Sequence, residues 1–418
     1  PLDARTLASE IHRRVNRPNI LLISNLFPTP VDPIRGVFTY QIARRLQAKC
    51  DLTVVCPLPW FPHWARGKLF EKWADFAHVP KVYEWQGFTV HSPKYPMIPK
   101  VSEAAHAAFM FPSLFRTVKR LHQAKKYDAV NTHWLYPDGV AAAWVTHNLK
   151  LPHVVTALGC DANLFMLQGH KRPQIEWALQ KAQGVTVVSE ALREFLAEHG
   201  LKDKRIDVIP NGVDAEVFHP RDKTKCARKL GLKYQGKTVV FVGQLLEVKG
   251  VIYLIEALAR LVAAGKDLMV YLVGEGPGRS EYEAEIARRG LSGHMRLVGN
   301  RPHAEIALWM GAGDVFCLPS IREGFPNVVL EALFCGRPVV ASRVGGIPEM
   351  VNESNGYLVD PKNSESLADA LSKTLWKNWD PQSIPATVSY LSWERAAEHY
   401  FQSLEEAQKT FAQRDGVG

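Results

Sequence analysis

The sequence is poor in cysteine and has no close cysteine pair. Six cysteines stand at positions 50, 56, 160, 226, 317 and 335 of 418 residues. None forms a Cys-x-x-Cys pair, and Cys56, Cys317 and Cys335 lie inside apolar runs. They read as buried free thiols of a reducing compartment. A chain of this length buries enough core to need neither a disulfide nor a metal staple. Residues 1–18 are polar and basic and read as no secretory leader. No apolar run approaches the roughly 18 residues of a membrane span. No nucleic-acid motif and no single long basic run appears. The formal charge of +9 therefore points to a nucleotide diphosphate or an anionic lipid before nucleic acid.

What is present is a soluble-type composition, 46% hydrophobic and 22% charged, arranged as an alternation of strands and helices. Buried parallel strands are expected at Asn19–Ser24, Asp51–Cys56, Asp128–Thr132, His153–Ala157 and Val185–Ser189. Helices are expected at Val37–Lys49, Ser102–Lys126 and Gly139–Leu149. A turn-rich stretch, Ile209–Pro220, separates this series from a second one. Its strands are Thr238–Gly243, Met269–Gly274, Met295–Gly299, Val315–Pro319, Pro338–Ser342 and Gly356–Val359. Its helices are Val251–Ala264, Glu281–Arg289, Ala304–Met310, Asn327–Cys335 and Ser364–Thr374. Two such halves predict an α/β chain of two doubly wound domains, residues 1–212 and 213–385, whose strand ends face each other across a cleft. A last helix, Ser392–Gln413, belongs to residues 386–418 and is a candidate to cross back to the first domain.

The most informative stretch is SIREGFPNVVLEALFCGRPVVAS, residues 320–342. Gly324-Phe325-Pro326 breaks the chain, and a helix begins near Asn327. Its free N–H groups and partial positive charge suit a diphosphate. Glu323 precedes that helix and Glu331 lies about one turn inside it. They can grip the two ends of a nucleotide sugar through hydroxyl pairs. In VGQLLEVKG, Gly243 and Gln244 follow a strand, and Lys249 offers a point charge to the diphosphate. Gly274, in LVGEGPG, is read either as part of a phosphate loop or as simple turn chemistry. Val298 and Gly299 end the next strand, where backbone groups can hold a base.

In the first half, His133 closes a strand in NTHWLYPDG, where the cleft is expected. It can accept a hydrogen bond from a donor-sugar hydroxyl or orient the acceptor. Asp138 is read as a helix N-cap, Gly36 after Arg35 as a donor-binding point where the backbone can approach the phosphates or the acceptor, and Asp161 as a weaker strand-end candidate.

Together these residues resemble the family 4 retaining glycosyltransferases of the GT-B fold, over nearly the whole chain. Glu323 through Glu331 with GRPVVASRVGGIPEMV is the most specific part. SEALREF and IPNGVD agree with it. GVFTYQIARRL and HWLYPDG resemble members that build bacterial exopolysaccharide, capsule or teichuronic acid. The resemblance implies that Glu331 holds the ribose hydroxyls. It implies that Glu323, with backbone N–H groups of Gly324–Asn327, holds the donor sugar. Lys249 would neutralise the departing diphosphate, and His133 would bond the donor sugar. It implies no metal and no cofactor, with a nucleotide diphosphate sugar, UDP-linked as a first expectation, as substrate. Where the family often carries Arg after the strand-end glycine, this chain has Gln244. That leaves Lys249, the helix start and Arg35 or Arg322 as the positive elements.

The expected activity is metal-independent, retaining hexosyl or N-acetylhexosaminyl transfer to a glycan or lipid-linked acceptor in cell-surface polysaccharide synthesis. A nucleotide-sugar epimerase and a non-catalytic scaffold are the alternatives. The expected location is cytoplasmic, with peripheral contact to an anionic membrane. Two aromatic–basic groups motivate that contact, or else form ordinary core edges. One is Trp60, Phe61, Trp64, Arg66, Lys68, Phe70, Lys72 and Trp73. The other is Phe109, Phe111, Phe115, Arg116, Lys119 and Arg120.

Overall fold

The structure, a computed structural model, describes residues 17–60, 75–97 and 102–415. It divides into two units, Pro1–Pro210 with Trp393–Gly418, and Asn211–Ser392. Residues 386–392 thus group with the second unit, and the closing helix with the first.

The first unit is built on β1 (Asn19–Ile23), β2 (Asp51–Val55), β3 (Leu58–Trp60), β4 (Val82–Trp85), β5 (Phe88–His91), β6 (Lys94–Pro96), β7 (Ala129–His133), β8 (His153–Ala157), β9 (Gly184–Val187) and β10 (Ile206–Val208). Eight of these form one sheet in the order β10-β9-β8-β7-β1-β2-β5-β4, and β3 pairs with β6. Both faces of the sheet are covered, so β1 is a run of Ile and Leu and β7 and β8 are buried throughout, although they carry the polar Asn131, Thr132, His133, His153 and Thr156. One cover is the closing helix Trp393–Asp415. Its Trp393, Ala396, Ala397, Tyr400 and Leu404 share a core with Ile20, Ile42, Ala129 and Val154.

The second unit carries β11 (Lys237–Val242), β12 (Leu268–Val273), β13 (Met295–Gly299), β14 (Val315–Leu318), β15 (Val339–Ser342) and β16 (Gly356–Val359). All neighbours are parallel, in the order β13-β12-β11-β14-β15-β16. Counted within the sheet, this is the 3-2-1-4-5-6 order of a doubly wound nucleotide-binding domain. The chain reverses direction of winding between β11 and β14. The loops leaving those two strands therefore diverge and open a crevice at their carboxyl ends, where such sheets take ligands.

Five cysteines are buried, Cys56, Cys317 and Cys335 within apolar runs and Cys50 and Cys226 within polar stretches, but Cys160, also expected to be buried, is exposed at the start of a short helix. Among the described residues, no helix is long and apolar enough to cross a membrane.

Candidate functional site

The two loops at the switch point of the second unit are tied together. After β11 the chain passes Gly243 and exposed Gln244, then makes a short 3-10 turn, Glu247–Lys249. After β14 it passes Pro319 and buried Ser320. The Ile321 N–H donates to the Val248 carbonyl at 2.8 Å. A Cβ on Gly250 would lie 2.0 Å from the Pro319 carbonyl oxygen. The loops thus approach as closely as backbones can.

That approach brings Lys249 and Glu323 into contact. Lys249 Nζ donates to Glu323 Oε1 at 2.7 Å, and Ser320 Oγ donates to the same oxygen at 2.6 Å. The Glu323 side chain is only 9% exposed. Behind it, the Gly346 N–H donates to the Gly324 carbonyl at 2.7 Å, so the loop after β15 braces the turn. Phe325 and Pro326 are buried. The helix Asn327–Phe334 follows, and no side chain caps its start. Asn211 Nδ2 donates to Asn327 Oδ1 at 2.9 Å. Arg322 stays exposed.

Glu331 lies one turn into this helix, with its side chain 13% exposed. His303 Nε2 is 3.4 Å from Glu331 Oε1. The hydrogen bond to Glu331 raises the pKa of His303 above its ordinary value. Neither this partner nor Ser320 was a candidate from sequence, because a histidine 28 residues before a glutamate carries no periodic signal.

The strand-end glycines of β11, β12 and β13 lie side by side. The Gly274 N–H donates to the Gly299 carbonyl, and the Gly243 N–H to the Val273 carbonyl, both at 3.0 Å. Gly274 has φ 144°, and a Cβ there would lie 1.9 Å from the Gly243 carbonyl oxygen. Close strand packing alone therefore requires this glycine, so turn chemistry suffices to explain LVGEGPG. Val298 is half-buried and its carbonyl accepts from Arg301 Nη2 at 3.1 Å.

In the first unit, His133 ends β7 as the sequence places it, but it is enclosed rather than presented at an open edge. It is 1% exposed, tilted against Tyr400 of the closing helix with ring centroids 5.3 Å apart. Its Nε2 is 3.3 Å from Asn131 Nδ2, and its Nδ1 has no partner among the described residues. Burial pushes its pKa down to about 3, so it is neutral.

Asp138 is not a helix cap. The helix Val140–Leu149 starts at Gly139 without a side-chain cap. Asp138 is fully buried and accepts from the Asn25 backbone N–H at 2.5 Å and Asn25 Nδ2 at 2.6 Å. Burial raises its pKa to about 7, against those donors and Arg35. Arg35 Nε donates to the Asn25 carbonyl at 2.8 Å. Gly36 starts the next helix at φ 57°, against the Leu26 carbonyl. Asp161, also buried, accepts the N–H groups of Leu135, Leu158 and Gly159 at 2.8–2.9 Å and so pins two strand-end loops.

Of the aromatic–basic groups, Phe61 to Trp73 lie outside the described residues, while Trp60 is exposed. On the helix His106–Ala124, Phe109, Arg116, Lys119 and Arg120 are exposed. Phe111 instead packs edge-on against Trp144 at 5.9 Å.

Comparison with known proteins gives the family of the chain. Residues 36–217 match Glycosyltransferase Family 4, and residues 222–383 match Glycosyl transferases group 1. The Bacillus subtilis protein named "Putative teichuronic acid biosynthesis glycosyltransferase TuaC" is 30% identical over 86% of this chain and 90% of its own length. The chain belongs to glycosyltransferase family 4. It is a glycosyltransferase, and solved structures place its fold. Sucrose-phosphate synthase of Thermosynechococcus elongatus superposes with a TM-score of 0.73 at 22% identity, covering 92% of this chain and 98% of that one. HepE of Anabaena in complex with UDP-glucose gives 0.62 at 22% identity, covering 95% and 99%. These likenesses give the family 4 enzyme the GT-B fold, built from two Rossmann-like domains.

Proposed function

We propose that this enzyme moves a hexosyl or N-acetylhexosaminyl group from a nucleotide diphosphate sugar to a glycan or lipid-linked acceptor, with retention and without a metal or other cofactor. The observation that carries the reading is the Lys249–Glu323 pair at the switch point, beside an uncapped helix start, with Glu331 one turn further on. Lys249 and the helix N–H groups offer positive potential to a diphosphate. Glu323 and Glu331 offer carboxylates to the hydroxyls of donor sugar and ribose. The UDP-glucose complex of HepE supports a UDP-linked donor. The name of the Bacillus relative supports a role in cell-surface polysaccharide synthesis.

In the proposed step, the bond from the anomeric carbon to the phosphate oxygen breaks first. Charge grows on the departing diphosphate, where Lys249 and the helix start stabilise it. The acceptor oxygen bonds to the same face of the anomeric carbon, and its proton passes to the leaving phosphate oxygen. Contact with an anionic membrane is supported by Arg116, Lys119 and Arg120 beside Phe109.

The experiment is a binding panel of UDP-, GDP- and ADP-sugars, followed by transfer assays with and without chelator. One donor class should bind, turnover should survive chelation, and the product's anomeric configuration should match the donor's. An inverted product, or loss of turnover restored by a divalent cation, overturns the corresponding part. A donor altered without any acceptor present would point to an epimerase instead.

A further inference from the structure

We infer that His303 is a positioning residue for the donor's ribose, acting through Glu331. This rests on the reading of Glu331 as the ribose holder.

His303 is the first residue of the helix His303–Ala312, which follows β13 through Gly299, Asn300, Arg301 and Pro302. A side chain at this point stands at the carboxyl edge of the sheet, among the strand-end loops. Its side chain is 45% exposed and is held by two contacts. Phe218, fully buried, meets it edge-on with centroids 5.1 Å apart at 75°. Glu331 Oε1 meets Nε2 at 3.4 Å. Asp214 adds negative charge from the loop after Asn211, and its influence and that of Glu331 both favour the protonated ring. The helix Lys223–Lys229 packs on the same element, but its Cys226 and the preceding Arg221 approach Gly311, about two turns away. On its own helix, Glu305 is engaged with Trp309 and Arg301.

A glutamate has three side-chain torsions, and gripping a vicinal diol requires all of them fixed. A carboxylate offers about four acceptor positions. His303 occupies one of them and leaves capacity for two hydroxyls. Backed by Phe218, it fixes the carboxylate before the donor arrives, and such preorganisation appears as affinity. The effect belongs to ribose binding and not to the bond-breaking step.

The test measures UDP and 2′-deoxy-UDP affinity by calorimetry, with donor KM and kcat, in His303→Ala, His303→Gln, Glu331→Gln and the double variant His303→Ala with Glu331→Gln. His303→Ala should weaken UDP about fivefold and raise donor KM similarly, with kcat at saturation within about twofold. It should weaken 2′-deoxy-UDP less than UDP, because only the 3′-hydroxyl is then left for Glu331 to hold. His303→Gln, whose amide can donate from a similar reach, should recover most of the UDP affinity. In the Glu331→Gln background, His303→Ala should add little, because coupled residues are not additive. Equal weakening of UDP and 2′-deoxy-UDP overturns the inference, as does a fall in kcat at constant KM. If Glu331→Gln weakens UDP but His303→Ala adds its full loss on top, the ribose reading stands and this inference falls. If Glu331→Gln leaves UDP binding intact, the ribose reading fails first and the inference with it. Where UDP does not bind, GDP and ADP with their 2′-deoxy forms replace it, and failure of all three removes both.

Discussion

Lys249 and Glu323 are each other's partner in this structure, so their energetics cannot be separated by naming one as the charge and the other as the sugar holder. Removing the lysine takes one partner from Glu323, whose side chain is 9% exposed and also accepts from the Ser320 hydroxyl at 2.6 Å. Lys249→Ala should therefore cost roughly 1–3 kcal/mol of stability. It should also lower kcat about 10²-fold through lost stabilisation of the departing diphosphate. Steady-state kinetics on protein shown to be folded checks this, and unchanged turnover refutes the role. At His133 the governing term is burial. The unfolded chain binds a proton on this residue below about 6.5, whereas the folded one does so only near 3. Its stabilising contribution is thus complete above pH 6.5 and is lost as pH falls toward 3. Against His133→Asn, the wild-type protein should lose about 1.4 kcal/mol of relative stability for each pH unit between about 6 and 4. Denaturant titrations of both proteins across that window measure the gap, and a gap constant with pH contradicts it.

At the scale of elements, the glycine that starts the helix Val251–Ala263 sets the geometry of the Lys249 loop. Gly250 has φ 67°, and any Cβ would meet the Pro319 carbonyl at 2.0 Å. Gly250→Ala should destabilise the second unit by about 2–4 kcal/mol and weaken donor binding, because the turn must withdraw from β14. A melt of intact protein combined with calorimetry tests both effects, and wild-type donor affinity would show that the loop tolerates the shift. The parallel strands β11 to β16 and the helix Asn327–Phe334 were legible in the sequence because burial on both faces demands continuous Val, Ile and Leu runs. The hairpin of β4 and β5 was not legible. Its strands read VYEW and FTVH, half polar, about a Gln86-Gly87 turn with both φ values positive. The site was legible where residues are neighbours in sequence, as from Glu323 to Asn327. It was not legible where partners come from separate loops, as with Asp138 and Asn25 or Glu331 and His303. No local periodicity records such pairs.

At the scale of the whole chain, the first unit is discontinuous. Its sheet is complete by Val208, yet it takes a cover from Trp393–Asp415 after the second unit has intervened. The two points where the chain passes between units are held close together within the second unit, since Val213 pairs with Ser392 in an isolated parallel bridge. The closing helix contributes Tyr400, 1% exposed, whose hydroxyl is bonded to Thr156 and Thr186 and whose ring lies against His133. Replacing it by alanine removes a large buried ring and leaves two buried hydroxyls without that partner, which should cost about 3–5 kcal/mol. The loss should fall on the first unit. A chain of two units need not unfold in one step, and a ligand held by the second unit stabilises only what binds it. In denaturant, Tyr400→Ala should lower the transition of the first unit and leave that of the second near wild type. A saturating nucleotide diphosphate should raise only the latter. If the substitution moves both transitions equally, the closing helix is supporting the chain as a single cooperative body, and the division into separately stable units is wrong.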